Sequence, residues 1–346
     1  MFRDASSKSL DLAVVESESM EDLDWDSVRA YRTLYNESHK TGKVRKMPDD
    51  EFLCHLGAAG KGEDGTTRPT GAGLLMFGQE WCIVHEFPNY FLDYRKQIGT
   101  NRRWEDRFTS QELEWSGNLF DFYERAYDKL RQALEVPFEL DGIRRVDETP
   151  AHEALREAIV NALSKADFKS SRGVVLRWTA EGIELVNPGC FRVGVEQAYI
   201  GGTSDARNKT ILKMFSLIEA GERAGSGIPN MVDQWVSCGY GKPRLSEAFD
   251  PEVSTAFLPF SADSDNLVSD NSLKNVVRIS RKGTRENEEA IVAYLTDHEG
   301  ARSLDIAEAV GISRTRVNQL LRALIEGEIV EAVGGSRNRV YKLAGK

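Results

Sequence analysis

Residues 149–165 read TPAHEALREAIVNALSK. Thr149-Pro150 is a helix start signal, because proline in the first turn lacks only an N–H that has no partner there. The spacing that follows predicts a helix over 151–165. Glu157 and Asn161, four apart, lie about 40° apart around its axis and share a face, while Leu155 and Ile159 point to the other side. A carboxylate and a carboxamide on one stripe can divide two tasks at a bound nucleotide. Glu157 would orient or deprotonate a water, and the Asn161 side-chain oxygen would ligate a hard cation such as Mg²⁺. Taken alone, such a pair is an ordinary solvated feature of an amphipathic helix.

Two later segments change that reading. Strands are predicted over 174–178 and 183–186, joined at Ala180-Glu181-Gly182 as a hairpin. The second runs into Asn187-Pro188-Gly189, an amide able to pair with a purine edge beside a glycine that permits close backbone approach. Gly225-Ser226-Gly227 precedes a helix predicted over 229–236, so its backbone N–H groups and the helix dipole form an anion site.

These segments, together with Gly201-Gly202-Thr203-Ser204-Asp205-Ala206-Arg207-Asn208 and Glu222-Arg223-Ala224-Gly225-Ser226-Gly227-Ile228-Pro229, resemble bacterial regulators that carry a divergent GHKL-type ATPase domain. Such proteins combine an N-terminal Schlafen-type Alba-like domain, the ATPase-like domain and a C-terminal helix-turn-helix. Residues 69–78 are similar to the segment joining the first two parts. The resemblance is most specific over about 65–260. It implies that Glu157 is the water-activating glutamate and Asn161 the residue that holds Mg²⁺. It also implies that Gly225, Ser226 and Gly227 form the glycine box at the phosphates, and that 189–223 is a nucleotide lid in which Thr203, Arg207 and Asn208 reach them. Asn187, with Gly189 beside it, stands where typical members present an aspartate to adenine. Lys165 stands where members often carry histidine. Residues 1–15 look like the last strand region of the Alba-like domain and its linker, with the upstream part missing.

Around this block, Val28, Tyr31, Leu34 and Tyr35 give a helical spacing within 25–57, a second short helix is predicted over 49–56, a glycine-rich loop over 57–68, strands over 74–77 and 89–94, and a long helix over 113–134. The segment 187–209 reads as a Gly, Ser and Asn-rich stretch, followed by a helix over 211–219 and a strand over 255–260. Residues 261–285 read as a solvated linker. Beyond it, helices over 287–298, 304–310 and 314–324 precede strands over 328–333 and 339–343, the pattern of a winged helix-turn-helix. In the third of these helices Arg314, Thr315, Arg316, Asn318, Gln319 and Arg322 lie off the apolar stripe, residue types that reach base edges and phosphates. Arg337 and Arg339 sit at the wing.

At 346 residues, the chain has room for two or three domains. Its formal charge of −10 excludes a global attraction to phosphate backbones, so any nucleic-acid contact must be local. Residues 272–346 supply one, with 13 Lys+Arg against 10 Asp+Glu, a balance of +3 that leaves −13 on the remainder. The four cysteines, Cys54, Cys82, Cys190 and Cys238, are far apart with no C-x-x-C pair, which argues against a disulfide framework or a zinc knuckle. No apolar run reaches membrane-spanning length and the acidic N-terminus has no signal-peptide pattern, so a cytoplasmic protein is expected.

The expected fold is α+β: a remnant and helical linker over 1–65, a connector and GHKL-like two-layer α/β sandwich over 66–260, a linker over 261–285 and a winged helix-turn-helix over 286–346. The expected function is that of a nucleotide-responsive transcriptional regulator that binds ATP, Mg²⁺ and duplex DNA as a homodimer. Two alternatives stand beside it. One is a weak ATP hydrolase in nucleic-acid processing or defence; the other is a structural dimer module with a degenerate pocket.

Overall fold

The structure is a computed structural model that describes residues 10–99, 104–134, 140–141, 144–145, 148–202, 205–221, 227–261, 290–296, 298, 300–310, 317–318, 320–321, 324–325, 329–333 and 340–344. The chain divides into two compact units, Ser6–Asp265 and one containing Asn266–Lys346. The architecture is α+β.

In the first unit, single turns at Leu10–Leu12 and Met20–Asp22 lead into α1 (Trp25–Ser38) and α2 (Asp49–Leu56). Asp24 caps α1 by accepting the Ser27 N–H at 2.9 Å, and α2 follows Pro48 as its spacing predicts. The glycine-rich stretch after it folds as a hairpin of β1 (Ala59–Lys61) and β2 (Thr67–Pro69). Next come α3 (Gly71–Phe77), α4 (Glu80–Glu86), β3 (Leu92–Gln97), β4 (Asp106–Thr109), α5 (Leu119–Leu130) and a minimal pair, β5 (Leu140–Asp141) and β6 (Arg144–Arg145). The chain continues with α6 (Pro150–Lys165), β7 (Val174–Thr179), β8 (Gly182–Pro188), α7 (Val195–Ile200), α8 (Lys209–Leu217), α9 (Gly227–Ser237), β9 (Arg244–Phe249) and β10 (Glu252–Pro259).

The strand expected over 74–77 is a helix. Every residue of α3 is buried, so the run has no polar face to reveal a helical period, and a short apolar run reads equally as a buried strand. What sets the helix is Thr70, whose hydroxyl accepts the Gly73 N–H at 3.1 Å, and Gly73 itself, where a Cβ would overlap the Ala58 backbone. The helix expected over 113–134 is shorter because Asn118 caps it, accepting the Asp121 N–H at 2.9 Å. Several elements lie in stretches read as irregular or left unassigned, among them α4, β4, α7 and β9.

Six strands form one mixed sheet in the order β4-β3-β7-β8-β10-β9, with β3 and β7 parallel and the other neighbours antiparallel. The predicted hairpin is β7-β8, registered with Val175 opposite Val186. Helix α6 packs on β8 and α9, and touches α5 and α8. Burial follows from that position. Leu155, Ile159 and Leu163 on one face are fully buried, and Glu157 on the other is only 8% exposed. The stripe that the amphipathic reading assigns to solvent is therefore roofed by α9.

The second unit contains α10 (residues 290–296), α11 (Ser303–Val310) and a hairpin of β11 (Val330–Val333) and β12 (Val340–Leu343). Ala301 exchanges both backbone hydrogen bonds with Tyr341, at 2.9 and 2.8 Å, which adds a third strand position to the hairpin. Ile291, Leu295, Ile306, Val317, Leu320, Leu321, Leu324 and Val330 form its core.

Candidate functional site

Helix α6 presents Glu157, Asn161 and Lys165 at intervals of one turn, and all three line one cleft. Opposite them stand Phe191 and Arg192 from the segment after β8, Asp205, Leu212 of α8, Gly227 and Ile228 at the start of α9, and Ser254 of β10. The Asn161 amide nitrogen donates to Glu157 Oε1 at 2.6 Å and to the Glu157 carbonyl at 2.8 Å. Its Oδ1 is thereby the end left to accept or to ligate a cation. Glu157 lies against the beginning of α9, where a Cβ on Gly227 would overlap its carboxylate. A side chain at 227 would force the Glu157 carboxylate to shift.

Among the described residues, the cleft carries two cations, Arg192 and Lys165. Arg192 pairs with Asp205 at 3.1 Å. Burial pushes the Lys165 ammonium down to about 8, against an opposing pull from Glu157. An ammonium held this way gains from any additional negative charge brought beside it.

A second, more apolar space adjoins the first and shares Asn161, Lys165, Phe191 and Ile228 with it. Ala158, Ala162, Met231, Leu245, Ala256 and Asn187 complete its lining. Asn187 is buried and donates through Nδ2 to Ser254 Oγ at 3.0 Å, and that hydroxyl in turn donates to the Gly189 carbonyl at 2.8 Å. The relay fixes the amide so that Oδ1 is its remaining acceptor. Gly189 has φ of +88°, and a side chain there would meet Arg207 and Asp167.

Other predicted residues stand elsewhere. Asn208 is buried and bonds the Ser164 and Ala166 carbonyls at 3.2 and 2.8 Å, so it closes the C-terminal end of α6. The Arg207 guanidinium donates to the Cys190 carbonyl at 3.3 Å beside Gly189. Thr203, Gly225 and Ser226 lie outside the described residues. So do Arg314, Thr315, Arg316, Gln319, Arg322, Arg337 and Arg339 in the second unit; Asn318 is described, half-buried beside the buried Val317. The sequence reading omitted Arg192, Asp205, Phe191 and Ser254 from the site. None of them carries a local signal; Ser254 falls just before the strand expected over 255–260.

The donor set suits a nucleotide with a hard cation. Asn161 Oδ1 offers an oxygen ligand, Lys165 and Arg192 offer charge for phosphates, and the adjoining apolar space includes Asn187, whose amide is held by Ser254.

Comparison with known proteins follows this geometry. Residues 172–251 match the family described as "Putative ATP-dependent DNA helicase recG C-terminal", and residues 284–331 match one described as "Winged helix-turn-helix DNA-binding". Residues 1–93 match a domain of unknown function, DUF8451. The first match begins after α6, so Glu157 and Asn161 lie outside it, while Asn187, Gly189 and Gly227 lie inside. No curated protein matches the chain. Among solved structures, the DIP2311 protein from Corynebacterium diphtheriae has a similar fold, with a TM-score of 0.53 and 16% identity, over 99% of this chain and 71% of that one. The chain thus joins an ATPase-like segment to a winged-helix segment. No helix among the described residues is long and apolar enough to cross a membrane.

Proposed function

We propose that this protein is a nucleotide-responsive, DNA-binding regulator whose ATPase-like unit holds ATP with Mg²⁺ between α6 and the start of α9. The observation that carries the reading is the row Glu157, Asn161 and Lys165 along one cleft, with an apolar space beside it that includes Asn187. In this reading Asn161 ligates the cation through Oδ1, Lys165 and Arg192 face the phosphates, Asn187 accepts from the base, and Glu157 positions water. Gly189 gives the backbone its close approach, and the glycine box at Gly225, Ser226 and Gly227 adds N–H donors. Thr203, Arg207 and Asn208 belong to the lid that frames the site.

The winged-helix unit binds duplex DNA through Arg314, Thr315, Arg316, Asn318, Gln319 and Arg322, with Arg337 and Arg339 at the wing. Its local positive balance in an acidic chain supports this, as does the family match over 284–331. A two-fold operator would be met by a homodimer in the cytoplasm of a bacterial cell. Calorimetric titration of the full chain with ATP, with and without Mg²⁺, tests the nucleotide reading. Micromolar, magnesium-dependent binding is expected, and absence of binding overturns it. A phosphate-release assay on the same sample separates a weak ATPase from a binding-only sensor.

A further inference from the structure

Six residues stand directly opposite one another across the whole mixed sheet: Arg107 of β4, Arg95 of β3, Arg177 of β7, Glu184 of β8, Phe257 of β10 and Arg244 of β9. With neighbouring strands about 4.8 Å apart, the row is about 24 Å long. It lies on the outward face. In the same strands Tyr94, Leu176, Leu185 and Leu258 alternate into the core and are fully buried, whereas Arg95, Arg177, Glu184, Phe257 and Arg244 are half-buried and Arg107 is exposed. Asn187 and Ser254 belong to the inward set, so the cleft described above and this row lie on opposite faces of one sheet.

Asp93 organises one end of the row. Its carboxylate is fully buried and accepts Nε and Nη2 of Arg95 at 2.8 and 2.5 Å, and Nε and Nη2 of Arg107 at 3.0 and 2.9 Å. Both guanidiniums are thereby held side-on, and neither gives Nη1 to Asp93. Trp104, exposed, lies against the same pair, its ring centroid 4.8 Å from Arg95 Cζ and 6.0 Å from Arg107 Cζ. At the other end Arg244 Cζ stands 5.0 Å from the Phe257 ring centroid. Arg177, between them, pairs with Glu184 at 2.5 Å. On the outward positions of the six strands, four arginines thus stand against two carboxylates, Asp93 and Glu184. The residues outside 272–346 carry a formal −13, so this positive face is a local feature of an acidic body.

We propose that this outward face is a platform for single-stranded DNA, with the arginines on its phosphates and with Trp104, Phe257 and the guanidiniums over them beneath its bases. A single strand offers what the row can meet, a charged backbone together with bases whose π-faces are free to stack on aromatic rings or arginine planes. A duplex keeps its bases stacked inside and would engage the arginines alone. An acidic peptide would likewise leave the rings without partners. Two guanidiniums already set on one carboxylate lose little freedom when they meet a phosphate. The choice of DNA rests on the winged-helix DNA-binding match in the same chain, and the nucleotide reading of the cleft is not needed for it.

Fluorescence anisotropy of a labelled oligothymidine of about 20 nucleotides, titrated with the full chain, tests the proposal. Binding is expected at low salt and should weaken as salt rises. Arg177→Gln should reduce the slope of log affinity against log salt by about 0.7, the share of one phosphate contact. Trp104→Ala removes an exposed ring and should weaken binding by about fivefold or more, with the unfolding midpoint unchanged. Arg29→Gln, at an exposed ion pair of α1, and Arg316→Gln, in the winged-helix unit, should both leave single-strand affinity as it is. The Arg316 variant separates this face from the duplex site. Absence of binding, unchanged behaviour of either sheet variant, or loss of binding in Arg316→Gln overturns the platform. Poly-glutamate that competes as well as oligothymidine assigns the face to acidic proteins, and oligouridine that competes as well removes the choice of DNA; either result overturns the proposal.

Discussion

Asn161 donates its side-chain amide to Glu157 Oε1 at 2.6 Å, across one turn of α6. The bond does two things at once. It fixes the carboxylate against the start of α9, and it turns the Asn161 oxygen outward as the atom left for a cation. Asn161→Ala should therefore weaken magnesium-dependent ATP binding by about tenfold or more, or about 1.4 kcal/mol. Glu157→Gln keeps the shape and a hydrogen-bonding oxygen, so binding should persist while any turnover disappears. Unaltered affinity in Asn161→Ala, by calorimetry, removes Asn161 from the site.

Gly227 and Glu157 are sterically coupled, since a Cβ at 227 would overlap the carboxylate. Gly227→Ala should destabilise the protein by about 1–3 kcal/mol, the usual range for overpacking. Glu157→Ala opens the space, so the double variant should recover much of that loss. A double-mutant cycle by urea denaturation reads the coupling directly, and simple additivity would show that the two do not press on one another.

Lys165 should make stability depend on pH and, at the proposed nucleotide site, affinity as well. Its value falls from 10.5 to about 8 on folding, chiefly through burial. Between these values the unfolded chain holds the extra proton, so stability rises with pH across that window; below about 8 the folded state carries the full penalty. Lys165→Met should accordingly stabilise the protein at pH 7, by up to about 3 kcal/mol, with the gain vanishing as pH approaches 10.5. Phosphates beside the ammonium favour its charged form. ATP binding should therefore take up a proton near pH 8 and weaken above it, and Lys165→Arg should flatten that dependence. Calorimetry in buffers of different ionisation enthalpy measures the proton uptake.

Asp11, in the turn Leu10–Leu12, ties the N-terminal segment to a helix 199 positions away. Its buried carboxylate accepts the Thr210 and Ile211 N–H groups at 2.8 and 3.1 Å, at the beginning of α8. Asp11→Ala leaves those donors without the cap and should lower stability by about 1–3 kcal/mol in urea melts. An unchanged midpoint would mean that the Asp11 cap adds nothing to the fold.

That contact also shows where reading the sequence stops. Helices with local signals were legible: α2 between Pro48 and Gly57, α6 after Thr149-Pro150, and the β7-β8 hairpin with its short turn. Helix α3 was not, because an entirely buried run shows no period. In the site, Glu157 and Asn161 were legible because one helix carries both. Arg192, Asp205 and Ser254 were not, because they meet only through the tertiary fold; Ser254 is set opposite Asn187 by the β8-β10 register. Asn208 illustrates the reverse error. A polar residue in a Gly-rich stretch reads as a phosphate contact, but here it satisfies the carbonyls at the end of α6.

The last prediction joins nucleotide to DNA. If Arg316 reads a guanine edge, Arg316→Ala should cost about 1–3 kcal/mol and relax specificity, whereas loss of a phosphate contact at Arg337 should weaken all sequences alike and reduce the salt slope. Regulation requires more than binding. The affinity for an operator must differ between the ATP-bound and free protein, and by linkage the same factor must separate nucleotide affinities with and without DNA. Asn161→Ala supplies the control, because it should abolish the effect of ATP on DNA while leaving DNA binding in the absence of nucleotide intact. Titration of a labelled duplex at fixed salt, with wild type and both variants, measures every term. Equal DNA affinity with and without ATP would separate the pocket from regulation and leave a DNA-binding protein whose nucleotide site serves another purpose.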